Sequence, residues 1–213
     1  MGNKAALSPA AEANESGGMF FASLAALGVG ALFLPNRAAP ARFGLTAPIP
    51  LSGLQSAGGY PFALLGEGWG RELAVHLVGA AAWQCAPRDA YIGWNSSQRA
   101  AHLPAIANHS RFLILPWVRV PHLASHLLNQ LTRRLPEDWL SYHGWKLLLL
   151  ESFVEVGRFA GTAYRAANWQ EVGQTTGRTR QEKEHRIQAA RKSVWVYPLS
   201  PNFRRHLGLG GGQ

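Results

Sequence analysis

The sequence predicts an α/β domain in which a mixed sheet is flanked by helices. Two short apolar runs, Phe112–Leu115 and Leu147–Leu150, have the composition of strands buried on both faces. Between them, leucines recur at three- and four-residue spacing from Pro121 to Leu135, which is the period of an amphipathic helix. Strand, helix and strand in this order are typical of a parallel strand pair with a right-handed crossover.

Tryptophan and charge divide the chain into a folded body and an extension. All eight tryptophans lie between Trp69 and Trp195, and the residues before them are rich in alanine, glycine and proline but carry few charges. We therefore predict an extension of low structural definition over residues 1–65, an α/β domain over 66–206 and a disordered tail over 207–213.

The extension contains one long apolar stretch, Met19–Leu34. Its 16 residues are short for a membrane-spanning helix and resemble the core of a signal peptide. Export, a packed or interfacial helix and an unstructured extension remain open, and we do not favour a membrane protein. The single cysteine, Cys85, excludes an internal disulfide framework and is typical of a cytoplasmic protein.

Further elements are predicted on both sides of the central unit. Ser96 is the predicted N-cap of a short helix. Pro136 is expected to end the leucine-rich helix, and the last strand is expected at the edge of the sheet. The predicted segments are a strand over Glu72–Trp83, a helix over Ser96–Ile106, strands over Trp145–Val154 and Glu171–Gln174, a helix over Arg158–Trp169, a polar loop or helix over Gly177–Lys192 and a strand over Ser193–Leu199.

Several common sites are missing from the sequence. It has neither the glycine-rich phosphate loops GxxxxGK[ST] and GxGxxG nor the nucleophile motif GxSxG. His122 and His126 have the spacing of two zinc ligands, but Leu123 stands where a metalloprotease needs a glutamate. We therefore expect no metal site and treat these histidines as polar residues on a helix face.

Glu151 is the carboxylate with the strongest case for chemistry. It ends the apolar run Leu147–Leu150, where burial would raise its pKa and suit it to act as a general base. The alternative, which we favour, is an ion pair with Arg111 or Arg165. Asp89, Glu151 and Glu155 could also supply a nuclease-type metal site, although their spacing specifies nothing.

The formal charge of +9 favours an anionic partner, and its excess is concentrated late in the chain. Aromatic side chains near arginines can stack on bases while guanidinium groups hold phosphates. In the alternative interpretation, Tyr164 and Trp169 belong to the core and the arginines form a solvated face. The predicted nucleic-acid-binding residues are Arg165, Asn168, Trp169, Gln174, Thr175, Arg178, Arg180, Lys183, Arg186, Arg191 and Lys192.

From about Leu73 to Phe203, the chain resembles the DruA family of bacterial proteins, named for the Druantia anti-phage system. The matching stretches are Ala86–Trp94, Asn108–Leu128, Glu151–Val154, Arg158–Trp169, Val172–Arg178 and Val194–Leu199. The resemblance implies a cytoplasmic prokaryotic protein of phage defence or mobile elements, and domains of this type also occur joined to transposases. It does not imply a molecular activity.

The order of elements also resembles the core of GCN5-related N-acetyltransferases. In that family, backbone N–H groups in the loop after the central strand bind the pyrophosphate of acetyl-CoA at a helix N-terminus. The glycines of that loop are absent here, so we leave the cofactor unassigned. The resemblance implies Glu151 and Tyr164 as catalytic residues, and a cofactor loop formed by Val118, Val120, His122, Leu123, Ala124 and Ser125.

The leading functional hypothesis is a DNA-associated protein of phage defence or mobile elements, with a basic C-terminal surface that binds nucleic acid. The alternative is an acyltransferase-like enzyme that uses a phosphorylated cofactor such as acetyl-CoA. A third hypothesis is an interaction subunit that acts only with partner proteins of a defence or transposition system.

Overall fold

A computed structural model of the chain describes residues 44–50, 62–68, 70–177 and 190–209. Within these ranges the chain forms an eight-stranded sheet with helices packed against it. The strands are β1 (Gly44–Leu45), β2 (Ile49–Pro50), β3 (Phe62–Gly68), β4 (Arg71–Ala80), β5 (Ile106–Ile114), β6 (Leu149–Glu155), β7 (Gln170–Gln174) and β8 (Lys192–Pro198). The helices are α1 (Ala86–Ile92), α2 (Ser96–His102), α3 (Leu123–His143), α4 (Thr162–Ala166) and α5 (Phe203–His206).

The sheet is mixed, as predicted. Its strand order is β1-β3-β4-β5-β6-β8-β7, with β2 also paired to β3. Only the β5–β6 pair is parallel among the described strands, and it joins Ile106–Asn108 to Leu149–Glu151. The predicted parallel pair is therefore confirmed, but Phe112 and Leu113 lie beyond it and pair with β4 instead.

The leucine-rich helix was predicted to end at Pro136, and this boundary is wrong. Helix α3 continues to His143 and ends at Gly144, whose backbone is left-handed with φ 70°. Proline removes one helical hydrogen bond, and burial of Trp139 one turn later offsets that loss. The segment after Pro136, expected to be a polar connector, is therefore the last part of the helix.

Three other predicted boundaries also differ. Helix α2 is capped by Asn95 rather than Ser96. The backbone N–H of Gln98 donates to Oδ1 of Asn95, and the backbone N–H of Asn95 donates to Oε1 of Gln98, which together form a capping box. The helix predicted over Arg158–Trp169 is limited to α4. Strand β8 lies between β6 and β7, so it is an interior strand and not an edge strand.

One cluster of the core lies between α3 and one face of the sheet. Leu128, Leu131 and Leu135 are fully buried there and belong to the same cluster as Leu64 and Val78. Burying each such side chain contributes about 1.5–3 kcal/mol, so the leucine period predicted from the sequence is what attaches α3 to the sheet.

Some predictions fall on residues that the structure does not describe. They include the apolar stretch Met19–Leu34, most of the extension over 1–65 and the basic residues between Arg178 and Arg186. In the ranges that the structure covers, none of the helices has both the length and the hydrophobicity needed to span a bilayer.

Gly161 precedes α4 and lies directly against the ring of Trp195. Its φ is +65°, and a Cβ built on it would lie 2.7 Å from Cε2 of Trp195 and closer still to Cζ2. The fold therefore needs glycine here for two reasons, the left-handed backbone and the close approach of the ring.

We expect Gly161→Ala to lower the free energy of unfolding by about 2–5 kcal/mol, because it combines a left-handed alanine with an overpacked core. Urea unfolding monitored by tryptophan fluorescence would measure the change. Gly157→Ala is the matched control, since Gly157 has φ +87° but nothing within 4 Å of the added Cβ. Equal losses in the two variants would show that the contact with Trp195 is unimportant.

Candidate nucleic-acid interface and the polar interior beside it

The carboxylate of Glu151 is completely buried and bonded on both oxygens. Nη1 of Arg88 donates to Oε2 of Glu151 at 2.7 Å, and the backbone N–H of Ala82 donates to Oε1 at 2.6 Å. Both side chains of the ion pair are 0% exposed. The predicted ion pair therefore exists, but its partner is Arg88; the partners expected from the sequence, Arg111 and Arg165, were wrong.

Asp89 extends this ion pair towards the surface. Its Oδ1 accepts from Nε of Arg88 at 2.9 Å, from Nη2 of Arg88 at 2.7 Å and from Nε1 of Trp94 at 2.9 Å. Its Oδ2 accepts from Arg99 at 3.3 Å. Because Arg88 and Asp89 are adjacent at the start of α1, the network attaches that helix to the middle of β6.

The charges of this network favour a structural role for Glu151. Burial raises the pKa of Glu151, and the guanidinium of Arg88 and the amide of Ala82 oppose that rise. Burial alone would lower the pKa of Arg88, but Glu151 and Asp89 outweigh it and the pKa is raised. We infer a carboxylate held as an ion pair, without a free oxygen with which to take a proton from a substrate.

On the opposite face of β6, a second polar network crosses the core. Nδ1 of His76 lies 3.0 Å from Nε2 of His109, and Nδ1 of His109 lies 3.1 Å from the hydroxyl of Tyr164. Oγ of Ser152 lies 2.9 Å from the Tyr164 hydroxyl and 2.9 Å from the backbone carbonyl of His109. Both histidines and Ser152 are buried.

With neutral rings, only one arrangement of protons makes all four contacts hydrogen bonds. A carbonyl only accepts, so Ser152 donates to the His109 carbonyl and Tyr164 must donate to Ser152. Nδ1–H of His109 then donates to Tyr164, and Nδ1–H of His76 donates to Nε2 of His109. The chain of donors leaves Nε2 of His76 as a buried acceptor without a hydrogen-bond partner.

A β-bulge in β5 brings this network together. His109 pairs with Val78, whereas Phe112 pairs with His76, so one extra residue is accommodated between them. His109 and Phe112 therefore face the same side of the sheet, where the rings of His76 and Phe112 stack with centroids 4.4 Å apart.

The two residues predicted to be catalytic are not brought together. Successive side chains of a strand point to opposite faces, so Glu151 faces α1 while Ser152 faces Tyr164. Burial raises the pKa of Tyr164 to about 12. The catalytic roles of Glu151 and Tyr164 stay predictions, and the geometry supports neither.

An open groove of about 440 Å³ lies where β6 ends, beside the start of β8. One wall is the turn that follows β6, where the ring of Phe159 is 59% exposed. The guanidinium of Arg158 lies 5.1 Å from the centroid of that ring. The lining residues are Val156, Gly157, Arg158, Phe159, Ala160, Glu171, Gln174 and Ser193.

A second β-bulge, in β7, forms the opposite wall. Glu171 pairs with Trp195 and Gln174 pairs with Ser193, so the shift in register places Glu171 and Gln174 on one face. Arg165, on α4, makes a long ion pair of 3.9 Å with Glu171 while its own side chain remains 66% exposed. The groove therefore has a polar wall opposite its aromatic one.

The predicted nucleic-acid-binding residues divide into three sets. Arg165, Asn168, Gln174 and Arg191 are exposed, and Thr175 and Lys192 are half-buried at the edge that carries the groove. Trp169 is 3% exposed and packs in the core beside Tyr164, as the alternative interpretation held, so its predicted contact with bases is wrong. Arg178, Arg180, Lys183 and Arg186 lie outside the described residues.

The predicted cofactor loop is held by apolar side chains. Val118 and Leu123 are buried, and Val120 packs against their cluster. His122 is exposed with φ 58° at the start of α3, and its carbonyl accepts from Oγ of Ser125 at 3.0 Å. Ala124 lies in the first turn of the helix. Binding of a phosphorylated cofactor here stays a prediction.

Sequence reasoning missed the partners of both polar networks and the aromatic wall of the groove. Arg88 and Asp89 are adjacent in the sequence, but no periodic pattern around them predicts the helix that carries them. His76 and His109 are 33 residues apart, and only the pairing of β4 with β5 brings them together. In the part of the chain that the structure covers, no cluster of three metal-ligating side chains occurs.

Comparison with known families gives one match. The sequence model of the family described as Druantia protein DruA matches residues 70–182, which is more than half of the chain. The match includes α1, the parallel strand pair, α3 and β7. No curated protein matches the sequence.

Solved structures with a similar arrangement include acetyltransferases, the class that the predicted order of elements resembles. An N-acetyltransferase from Staphylococcus aureus Mu50 has a TM-score of 0.42 and 13% identity, over 66% of this chain and 68% of that one. A GNAT-family acetyltransferase from Streptococcus pneumoniae has a TM-score of 0.39 and 14% identity, over 65% and 67%. Polyamine N-acetyltransferase from Drosophila melanogaster has a TM-score of 0.41 and 12% identity, over 64% and 74%. At scores of this size we infer no chemistry from them.

Removing the cation from the buried ion pair should destabilise the fold. We expect Arg88→Met to lower the free energy of unfolding by about 3–5 kcal/mol, because it leaves Glu151 buried without its partner. Urea unfolding would measure the loss, and Arg133→Met, at an exposed position of α3, is the control. A difference of less than about 1 kcal/mol between the variants would contradict a structural role for the pair.

The histidine network should make stability depend on pH. Burial lowers the pKa of His109 to about 3, and burial, with the neighbouring His109, lowers the pKa of His76 well below 6.5. Below pH 6.5 the unfolded chain therefore binds more protons than the folded one, and the free energy of unfolding falls as the pH falls towards 3.

We expect each ring to contribute a loss of up to about 1.4 kcal/mol per pH unit in that window. Urea unfolding at a series of pH values would measure the slope. His76→Phe keeps a ring beside Phe112 but cannot titrate, so its slope should be shallower than that of the wild-type protein. Parallel pH curves for the two proteins would argue against a neutral buried His76.

Proposed function

Because the chain belongs to the family of the Druantia protein DruA, which associates it with prokaryotic defence, we propose that it binds nucleic acid. The proposed surface lies at the strand ends of the sheet, where β6 ends and β8 begins. The observation that carries the proposal is the set of solvent-accessible cations around the groove: Arg158, Arg165, Arg191 and Lys192.

The position of these cations supports contact with a polyanion. The backbone N–H of Val156 donates to the carbonyl of Arg191 at 2.9 Å, which holds the turn after β6 against the start of β8. Arg165 lies 5.6 Å above the ring of Trp195. The long exposed ion pair of Arg165 with Glu171 contributes little, so its guanidinium can exchange that partner for a phosphate.

The sequence contains further positive charge between Gly177 and Ala190. From 178 to 189 it contains Arg178, Arg180, Lys183 and Arg186 against Glu182 and Glu184. These residues lie outside the described ranges, but the chain leaves and re-enters beside the groove. There, the backbone N–H of Thr175 donates to the carbonyl of Lys192 at 2.8 Å. A role for these four cations in binding remains a prediction from the sequence.

No observation in the described residues favours the acyltransferase alternative. Glu151 is held by Arg88, and Tyr164 lies on the other face of the sheet with its hydroxyl in the histidine network. DNA binding, by contrast, rests on charges that face solvent. We therefore retain one proposed function.

Charge reversal at the edge should weaken binding. We expect the double variant Arg165→Glu/Arg191→Glu to lower affinity for DNA at least about tenfold and to flatten its salt dependence, since each lost phosphate contact removes about 0.7–0.9 from the slope of log K against log salt. Fluorescence anisotropy with labelled oligonucleotides at several salt concentrations would measure both quantities.

Arg205→Glu is the matched control. Arg205 is an exposed cation on α5, which follows the opposite end of β8. Its reversal does not touch the groove and changes the net charge by the same amount as the single variant Arg165→Glu, with which it is compared. Equal loss of affinity in the two proteins would show that net charge alone drives binding. No binding to DNA or RNA at low salt would refute the proposed function.

A further inference from the structure

The groove beside β6 has features that select a base rather than a phosphate. Phe159 is 59% exposed, and the guanidinium of Arg158 lies over its ring, 5.1 Å from the centroid. The side chains of Glu171 and Gln174 line the other wall. A carboxylate inside the groove repels phosphate, whereas carboxylate and amide groups form hydrogen bonds with the edges of bases.

Three cations lie around the groove rather than among its lining residues. Arg165, Arg191 and Lys192 lie outside the lining and are solvent-accessible. A chain with phosphates at the rim and a base in the interior matches this distribution of charge. The volume of about 440 Å³ also lies within the range of pockets that hold small ligands, about 300–1,000 Å³.

From these observations we propose that the groove holds an unstacked base of a single-stranded nucleic acid, with the Phe159 ring as the stacking platform. In a duplex, the faces of the bases are covered by their neighbours and only their edges are accessible from the grooves. A base that stacks on the Phe159 ring must therefore have left its own stack. This inference rests on the proposed function and adds the class of nucleic acid to it.

The turn that carries Phe159 is hydrogen-bonded to the end of β6. The backbone N–H of Phe159 donates to the carbonyl of Glu155, the last residue of β6, at 3.1 Å. The preceding Gly157 adopts φ +87°, which allows the chain to turn sharply after the strand. These two features place Phe159 beside the end of β6.

The test uses a single-stranded oligodeoxynucleotide carrying one 2-aminopurine, whose fluorescence is quenched by stacking, and the duplex of the same sequence. At one salt concentration, the wild-type protein should bind the single strand at least about tenfold more tightly than the duplex and should change the probe's fluorescence. Phe159→Leu keeps an apolar side chain without the flat ring. It should weaken binding of the single strand about tenfold or more and remove the fluorescence change. Phe159→Trp should restore both.

Trp145→Leu is the matched control, because Trp145 is also exposed but lies before β6, at the opposite end of that strand. Circular dichroism and urea unfolding would verify that each variant is folded. Equal affinity for single strand and duplex, or a Phe159→Leu variant that binds and quenches like the wild type, would overturn the inference. If Arg165→Glu/Arg191→Glu still lost affinity in that case, nucleic-acid binding itself would stand. If the wild type bound neither form at low salt, the proposed function would fail as well.

Discussion

The structure depends on compensating one negative charge in the middle of the sheet. Glu151 lies in β6 with no access to water, and the Arg88 guanidinium neutralises it at 2.7 Å. This requirement fixes α1 against the sheet, because Arg88 is part of that helix. Helix α1 in turn supports β7: a Cβ on Gly173 would lie 3.0 Å from Cβ of Pro87, so the helix and the strand are in close contact. Because β7 carries the polar wall of the groove, the buried ion pair also positions the proposed binding surface.

Strand β6 separates two polar networks that could not share one face. Glu151 and its cation are charged, whereas the chain from His76 to Ser152 requires neutral rings to complete its hydrogen bonds. The alternation of side chains along a strand places the sheet between them. The two parallel strands β5 and β6 pair through only three residues each, and the aromatic and hydroxyl side chains fill the space where they no longer pair. The buried polar side chains of this region are therefore bonded mainly to one another within an otherwise apolar core.

Local patterns in the sequence were sufficient to predict the fold class. They could not predict features that depend on contacts between residues far apart in the chain. The leucine period predicted α3, but Pro136 concealed its last turns because burial of Trp139 is visible only in three dimensions. The burial of Glu151 was predictable from its apolar neighbours, while its partner 63 residues away was not. Likewise, the basic character of the proposed surface could be predicted from composition. The exposure of Phe159 could not, because an aromatic residue in a short segment is equally consistent with the core.

The residues of the proposed binding surface are not the residues that stabilise the fold. The buried networks hold α1, β5, β6 and α4 together, whereas Phe159 and Arg165 lie at strand and helix ends with much of their surface in water. Side chains at such positions contribute little to folding, since they lose little contact with solvent. A surface of this kind can vary in sequence without unfolding the domain, provided that the strand ends beneath it stay fixed. The buried ion pair and the exposed strand ends therefore have different roles: the ion pair holds α1 against the sheet, and the strand ends carry the proposed binding surface.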